Sequence, residues 1–166
     1  MNLRQIRDLA RTAHRGQSDK SGQDYFTAYL EPIAESLEPH GEHAVMAGYL
    51  HDIIEDTDYT ADRLLDLGVP AEVVGAVESV TRHTDETYPE LIARATAHPL
   101  GRIVKLADNA LNLARNPELE AIDPEMAARM RTRYEGARAT LLSGQHTEAG
   151  QLAPRGQRPC AGLPPR

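Results

Sequence analysis

Apolar residues recur at helical rather than strand spacing along most of this chain. In the first segment they lie three or four residues apart, with arginine and aspartate between them, at Leu3, Ile6, Leu9, Ala10 and Ala13. The sequence contains no convincing two-residue alternation bounded by hairpin turns. We therefore predict an all-α protein.

Turn-forming and capping residues divide this pattern into successive helices. Thr60 and Asp123 are suited to cap the starts of two helices, and Gly68 to end one. Pro32 indicates either a helix start near Glu31 or a kink. The predicted helices cover residues 2–14, 27–37, 42–55, 61–67, 70–82, 89–97, 100–115 and 124–142.

The length of 166 residues suits one domain with a sizeable core. We expect a single helical domain over residues 1–142. The remaining residues, 143–166, are rich in Gly, Pro and Gln and nearly free of large apolar side chains. Such a segment cannot bury enough surface to offset its ordering entropy, so we predict a disordered tail.

The net charge of −7 argues against extensive binding to a nucleic-acid phosphate backbone, but it does not exclude a small phosphorylated ligand. The N-terminus lacks the unbroken apolar region of a signal peptide, and no segment approaches the ~20 apolar residues of a membrane span. We therefore expect a cytoplasmic protein without nucleic-acid or membrane partners. The single cysteine, Cys160, excludes a disulfide framework and a cysteine-based zinc site within the chain.

The segment HDIIEDTD, residues 51–58, carries one imidazole and four carboxylates on little more than two helical turns. The chain has no lysine or arginine between Lys20 and Arg63, so the segment has no local basic partner. Buried carboxylates are usually paired or bound to a metal, because an isolated buried charge is costly. We therefore predict a metal site here. The alternative is a solvated acidic helix end.

On one continuous helix, His51 and Glu55 share a face, as do Asp52 and Asp56. This spacing predicts an inner pair, His51 and Asp52, for a metal ion. The outer pair, Glu55 and Asp56, is then available for water or substrate.

Asp108 is the best candidate for a further anionic ligand from elsewhere in the chain. It follows the apolar run Ile103–Ala107, and Asn112 lies one helical turn later on the same face. The alternative interpretation is a helix-surface aspartate paired with Lys105 three residues before it.

Several separate segments, in order, resemble motifs of the HD-domain phosphohydrolases. They are AHRGQ with KSG and a tyrosine at 13–25, YLHDIIEDT at 49–57, VTR at 80–82 and VKLADNALNL at 104–113. The resemblance is closest to the hydrolase domain of the RelA/SpoT-type alarmone enzymes and their small stand-alone relatives, and covers roughly residues 1–142. It implies an all-helical, manganese-dependent enzyme that removes the 3′-pyrophosphate from (p)ppGpp, the nucleotide of the stringent response.

The resemblance also implies roles for four residues of the acidic segment and for Asp108. His51, Asp52 and Asp108 match the family's metal ligands. Glu55 and Asp56 match the residues that orient or deprotonate the attacking water. One imidazole with carboxylates suits Mn²⁺ better than a thiolate-seeking metal, and a bound ion of this kind polarises a phosphoryl oxygen.

Three further residues are implied to bind the substrate. Lys20 and Ser21 would lie beside the nucleotide, and Asn112 would contact its sugar or phosphate. The small-molecule nucleotide is therefore the expected partner of this chain.

Two positions depart from the family pattern. The family has a metal-binding histidine just after Tyr25–Thr27, where this chain has Ala28 or Tyr29, depending on a one-residue shift. The metal would then be held by three residues rather than four. Asp19 stands where the alarmone enzymes usually carry a basic residue. These departures support an alternative function, a catalytically degenerate HD domain that binds a nucleotide or a protein partner without turnover.

Overall fold

The computed structural model describes residues 1–144 of the chain. Within this range every named element is a helix, and the only extended pairing is an isolated bridge between Ser18 and Asp24. The all-α prediction is thus confirmed. Most of the predicted tail, residues 145–166, lies outside the described residues.

The α-helices follow one another with short connections. They are interrupted by a π-helical turn, Phe26–Leu30, and a 3₁₀ turn, Glu38–His40. The α-helices are α1 Leu3–Ala13, α2 Glu31–Ser36, α3 Glu42–Leu50, α4 Ile53–Asp56, α5 Ala61–Asp66, α6 Ala71–Val80, α7 Tyr88–Ala97, α8 Pro99–Ile122 and α9 Pro124–Ser143.

Local capping chemistry sets several of these boundaries, as predicted. The Thr60 side chain accepts a hydrogen bond from the Arg63 backbone N–H, and Asp123 accepts one from Met126. Gly68 follows the end of α5 with a φ of 83°, a left-handed conformation that favours glycine.

The prediction of a single helix over residues 42–55 is wrong, because the chain forms two helices there, α3 and α4. Asp52 has φ −103° and ψ 1°, outside the α-helical region. Residues 44–50 are all buried, so packing on every side of α3 holds it in place. The break puts His51 and Asp52 at the end of α3 rather than in mid-helix.

Two further helix boundaries, the start of α2 and the end of α8, can be compared with the prediction. Pro32 lies in the first turn of α2, which follows the π-helical turn Phe26–Leu30 directly. Leu30 itself has α-helical dihedral angles, so the chain is already helical before Pro32 and changes from π- to α-helical geometry at Glu31. Helix α8 continues past residue 115 and through Pro117. Its extension is tied to α9 by Asn116, which donates to the Ala127 carbonyl and accepts from Arg131, each at 3.0 Å.

The main core lies between α1, α2, α3, α6 and α8 and consists mostly of aliphatic side chains. Gly48 allows α2 and α3 to approach closely, since a Cβ there would lie 2.7 Å from Leu37 Cδ1 and 2.9 Å from Ala34 Cα. Fully buried Ile53 anchors α4 in this core and leaves the polar side of α4 toward a cleft. Within residues 1–144, no helix has both the length and the apolar character to cross a membrane.

Candidate functional site

A cleft of about 360 Å³ lies between α4, α8 and the loop that follows α1. Eight residues were predicted for the site, and six of them line this cleft. The lining residues are Lys20, Ser21, Asp52, Glu55, Asp56 and Asn112. The other two, His51 and Asp108, are buried. The tertiary fold therefore gathers side chains from three distant segments.

His51 is buried and oriented by a backbone contact. Its Nδ1 lies 2.8 Å from the Gly48 carbonyl oxygen, and because a carbonyl only accepts, Nδ1 carries the proton. Nε2 faces Asp52 Oδ2 at 3.0 Å, in ion-pair range but without hydrogen-bond geometry. Burial lowers the pKa of His51, but the carboxylates of Asp52 and Asp108 raise it to about 9. Burial conversely raises the pKa of Asp52, while the His51 charge holds it below its ordinary value.

Asp108 has both carboxylate oxygens engaged by its neighbours. Lys105 Nζ lies 2.7 Å from Oδ2, and Asn112 Nδ2 donates to Oδ1 at 2.6 Å. Burial raises the pKa of Asp108, but the Lys105 ammonium keeps it below its ordinary value. The Lys105 pairing considered from the sequence is therefore present, but it joins buried groups rather than surface groups.

Two tyrosines four residues apart cover the acidic groups. The Tyr25 hydroxyl donates to Asp52 and the Tyr29 hydroxyl donates to Asp108, and the two rings stack with centroids 5.1 Å apart. Burial and the nearby carboxylates raise the pKa of both phenols, so both remain protonated donors at neutral pH. Of Ala28 and Tyr29, it is Tyr29 whose side chain reaches the cluster. The pair was not predicted from the sequence, where the four-residue spacing of the two tyrosines is the signal that could have indicated it.

The three predicted metal ligands have suitable donor chemistry. His51 Nε2 is a buried nitrogen with no hydrogen bond among the described residues, and its Nδ1–carbonyl contact is typical of ligating histidines. Asp52 lies beside it, but Asp108 is held by Lys105 and Tyr29. In residues 1–144 no group of three or more His, Cys, Asp or Glu side chains is arranged to hold a metal. The ligand set remains a prediction, in which Asp108 would bind the metal with a carboxylate that Lys105 and Tyr29 already contact.

Glu55 and Asp56 lie at the wall of the cleft and are held by different partners. Glu55 Oε2 accepts the Arg82 backbone N–H at 3.0 Å. The Asp56 carbonyl accepts Gln17 Nε2 at 3.0 Å, and Gln17 Oε1 lies 2.7 Å from buried His14 Nδ1. Burial raises the pKa of Asp56, and the carboxylates of Asp52 and Glu55 raise it further. Asp56 is therefore a stronger base than an ordinary aspartate.

The loop that carries Lys20 and Ser21 is organised by Asp19. Asp19 Oδ1 accepts the Ser21 backbone N–H and hydroxyl, each at 2.9 Å, and Oδ2 lies 2.6 Å from Arg115 Nη1. The Ser21 hydroxyl also accepts Arg115 Nη2 at 2.7 Å. Lys20 Nζ donates to the Tyr134 hydroxyl at 2.9 Å and keeps further N–H groups for a ligand. Arg115 and Tyr134 were not among the sequence-predicted site residues.

Curated proteins of similar sequence include alarmone enzymes. The guanosine-3′,5′-bis(diphosphate) 3′-pyrophosphohydrolase of Haemophilus influenzae is 35% identical over 116 residues, which cover 63% of this chain and 17% of that protein. The GTP pyrophosphokinase of Streptomyces antibioticus is 34% identical over 142 residues, which cover 76% of this chain and 16% of that protein. The chain thus spans about one sixth of the length of these curated relatives. No family model matches the chain.

Among solved structures, the chain resembles one described as a metazoan ortholog of SpoT that hydrolyzes ppGpp. The TM-score is 0.61 at 21% identity, and the match covers 88% of this chain and 94% of that one. At this identity the likeness shows the fold. With the matched sequences, it relates this chain to the HD-domain hydrolases of the RelA/SpoT type, which confirms the relationship that the motifs indicated.

Proposed function

We propose that this chain hydrolyses a phosphorylated nucleotide and that the substrate is (p)ppGpp, from which it removes the 3′-pyrophosphate. The observation that carries the proposal is the convergence of the Glu55–Asp56 pair, Asp52, Lys20 and Asn112 on one cleft. The named activities of the Haemophilus influenzae relative and of the metazoan SpoT ortholog support the choice of substrate.

In the proposed reaction a water molecule attacks the phosphorus bonded to the ribose 3′-oxygen. Asp56 accepts the proton from this water, because burial and the carboxylates of Asp52 and Glu55 raise its pKa above that of an ordinary aspartate. Glu55, held at Arg82, orients the water. The new P–O bond forms as the bond to the 3′-oxygen breaks, and the leaving oxygen takes a proton from solvent.

His51, Asp52 and Asp108 are the proposed ligands of a divalent ion, with Mn²⁺ as the specific choice. Such an ion would supply Lewis-acid polarisation of a phosphoryl oxygen. Lys20 is the proposed partner of a substrate phosphate, since its ammonium faces the cleft beside Tyr134. Ser21 and Asn112 complete the proposed nucleotide-binding set.

The test is pyrophosphate release from ppGpp by the purified chain in Mn²⁺. We expect release that stops with EDTA and is lost in Asp52→Ala, since that change removes a proposed ligand. Asp66→Ala makes the same change at an exposed aspartate on α5; it is the matched control and should retain wild-type turnover. A folded wild-type chain that releases no pyrophosphate, or an Asp52→Ala variant with full activity, would contradict the proposal.

The contacts at Asp108 favour one second candidate, nucleotide binding without turnover. Lys105 and Tyr29 occupy the Asp108 oxygens that a metal would need. This candidate predicts that ppGpp binds to the purified chain in equilibrium dialysis while pyrophosphate release stays at the level of the buffer.

A further inference from the structure

A single peptide group connects Arg94 of α7 to Glu55 in the cleft. Arg94 Nη2 donates to the Thr81 carbonyl oxygen at 2.7 Å. The N–H of the same peptide group, which belongs to Arg82, donates to Glu55 Oε2 at 3.0 Å. A continuous chain of hydrogen bonds therefore runs from a guanidinium, through one peptide plane, to a carboxylate that lines the cleft.

Arg94 is itself held at several points. Its Nε and Nη2 grip the two carboxylate oxygens of Glu86 at 2.8 and 2.6 Å, and Nη1 donates to the Glu78 carbonyl at 2.7 Å. Such a two-pronged pair has a defined geometry that a single-point contact lacks. The Arg94 side chain is 27% exposed and that of Glu86 is 11% exposed, so solvent competes only in part.

Glu86 also holds the segment between α6 and α7 in place. Its Oε2 accepts the His83 backbone N–H at 3.1 Å, and its carbonyl accepts Arg82 Nε at 3.1 Å. The peptide that faces Glu55 is thus fixed from both sides. Since hydrogen-bonded chains polarise one another, the positive guanidinium also makes the Arg82 N–H a stronger donor.

The hydrogen bond from the Arg82 N–H orients the Glu55 side chain. It lies near the end of the short helix α4, and its side chain is exposed. An exposed carboxylate samples several rotamers unless a fixed donor selects one. The Arg82 N–H is such a donor.

We propose that Arg94 is a positioning residue that fixes the Glu55 carboxylate in the cleft through the Thr81–Arg82 peptide group. The effect of Arg94 on kcat rests on the proposed hydrolase function. The contacts of Arg94 described above reach the cleft only through this peptide, so its effect is on the geometry of Glu55.

The kinetic test is a double-mutant cycle with Arg94→Lys and Glu55→Ala, measured as pyrophosphate release from ppGpp. Lysine keeps the charge but loses the fork, so we expect kcat to fall about tenfold with KM changed less than twofold. In the Glu55→Ala background, Arg94→Lys should lower kcat less than twofold. An equal tenfold loss in both backgrounds would overturn the proposal, because Arg94 would then act independently of Glu55.

A second measurement needs no turnover and separates this proposal from the proposed function. In ¹H–¹⁵N spectra, the Arg82 amide proton should move upfield in Arg94→Lys, in Glu86→Gln and in Glu55→Ala, as its hydrogen bond weakens. Arg131→Lys, in the exposed pair with Glu120, is the control and should leave it unmoved. An Arg82 resonance unchanged in folded Arg94→Lys and Glu86→Gln would overturn the positioning role, whereas a wild-type chain without turnover would overturn only the proposed function.

Discussion

The Tyr29 hydroxyl donates a hydrogen bond to the buried carboxylate of Asp108, at the place where the sequence left a choice between Ala28 and Tyr29. The π-helical turn Phe26–Leu30 carries Tyr29 to this position. Asn112 Nδ2 lies 2.5 Å from the same hydroxyl. A neutral phenol therefore occupies space beside His51, with ring centroids 6.0 Å apart.

Replacement of this phenol by imidazole should strengthen metal binding. In Tyr29→His we expect Mn²⁺ affinity to rise at least about tenfold. Residues that only hydrogen-bond to a metal ligand already change metal affinity by roughly tenfold or more, and the imidazole would be a direct ligand. Titration calorimetry of the purified chain measures this. Tyr29→Phe, which keeps the ring and removes the hydroxyl, is the control. Equal affinities in the two variants would contradict the expectation.

Loss of the Lys105 ammonium should destabilise the fold. Lys105→Met leaves Asp108 buried without its cation, and breaking a buried pair typically costs about 3–5 kcal/mol. Urea denaturation in EDTA gives the free energy of unfolding. Arg129→Gln breaks a pair with Glu125 whose side chains are mostly exposed, so its loss should stay below about 1 kcal/mol. Comparable losses in the two variants would show that burial does not strengthen the Lys105 pair.

Close packing at Gly48 should make alanine unfavourable there. The added Cβ would meet Leu37 and the Ala34 backbone below 3.0 Å, so Gly48→Ala should lower the free energy of unfolding by about 1–3 kcal/mol. Gly136 on α9 has nothing within 4 Å of the same Cβ position, so Gly136→Ala should stabilise by about 0.5–1 kcal/mol. Chemical denaturation of both variants tests the opposite signs. Destabilisation of similar size in both would refute the packing argument.

The Glu86–Arg94 pair should make stability fall in acid. Hydrogen bonds from Arg94 hold the pKa of Glu86 at about 2, below its ordinary value of about 4.5. Because the folded pKa is the lower one, the stabilisation is complete above pH ~4.5 and is lost as the pH falls through about 2. Thermal unfolding of wild type and Glu86→Gln between pH 6 and 2 isolates this contribution. The difference between their melting temperatures should shrink toward pH 2, and a constant difference would contradict the assignment.

Much of the site could be predicted from the sequence, because its residues lie in short segments with characteristic chemistry. The HDIIEDTD segment contains both the inner pair His51–Asp52 and the outer pair Glu55–Asp56. Of the six predicted residues that line the cleft, Asp52, Glu55 and Asp56 came from this segment, whereas Lys20, Ser21 and Asn112 came from the resemblance to family motifs. The partners Arg94, Tyr134 and Arg115 were not predicted, because each comes from a segment far along the chain and has no local spacing relative to the motif.

The sequence by itself determined the helical class, the caps at Thr60 and Asp123, and the stop at Gly68, because these depend on periodicity and on hydrogen bonds within four residues. Only the tertiary structure decided the break after α3, the continuation of α8 through Pro117 and the contact of Tyr29 with Asp108. It also paired Lys105 with Asp108 in a buried environment. In such places burial and contacts between distant segments outweigh local propensity, because unpaired polar groups are costly in the interior and their partners are set by the packing of whole helices.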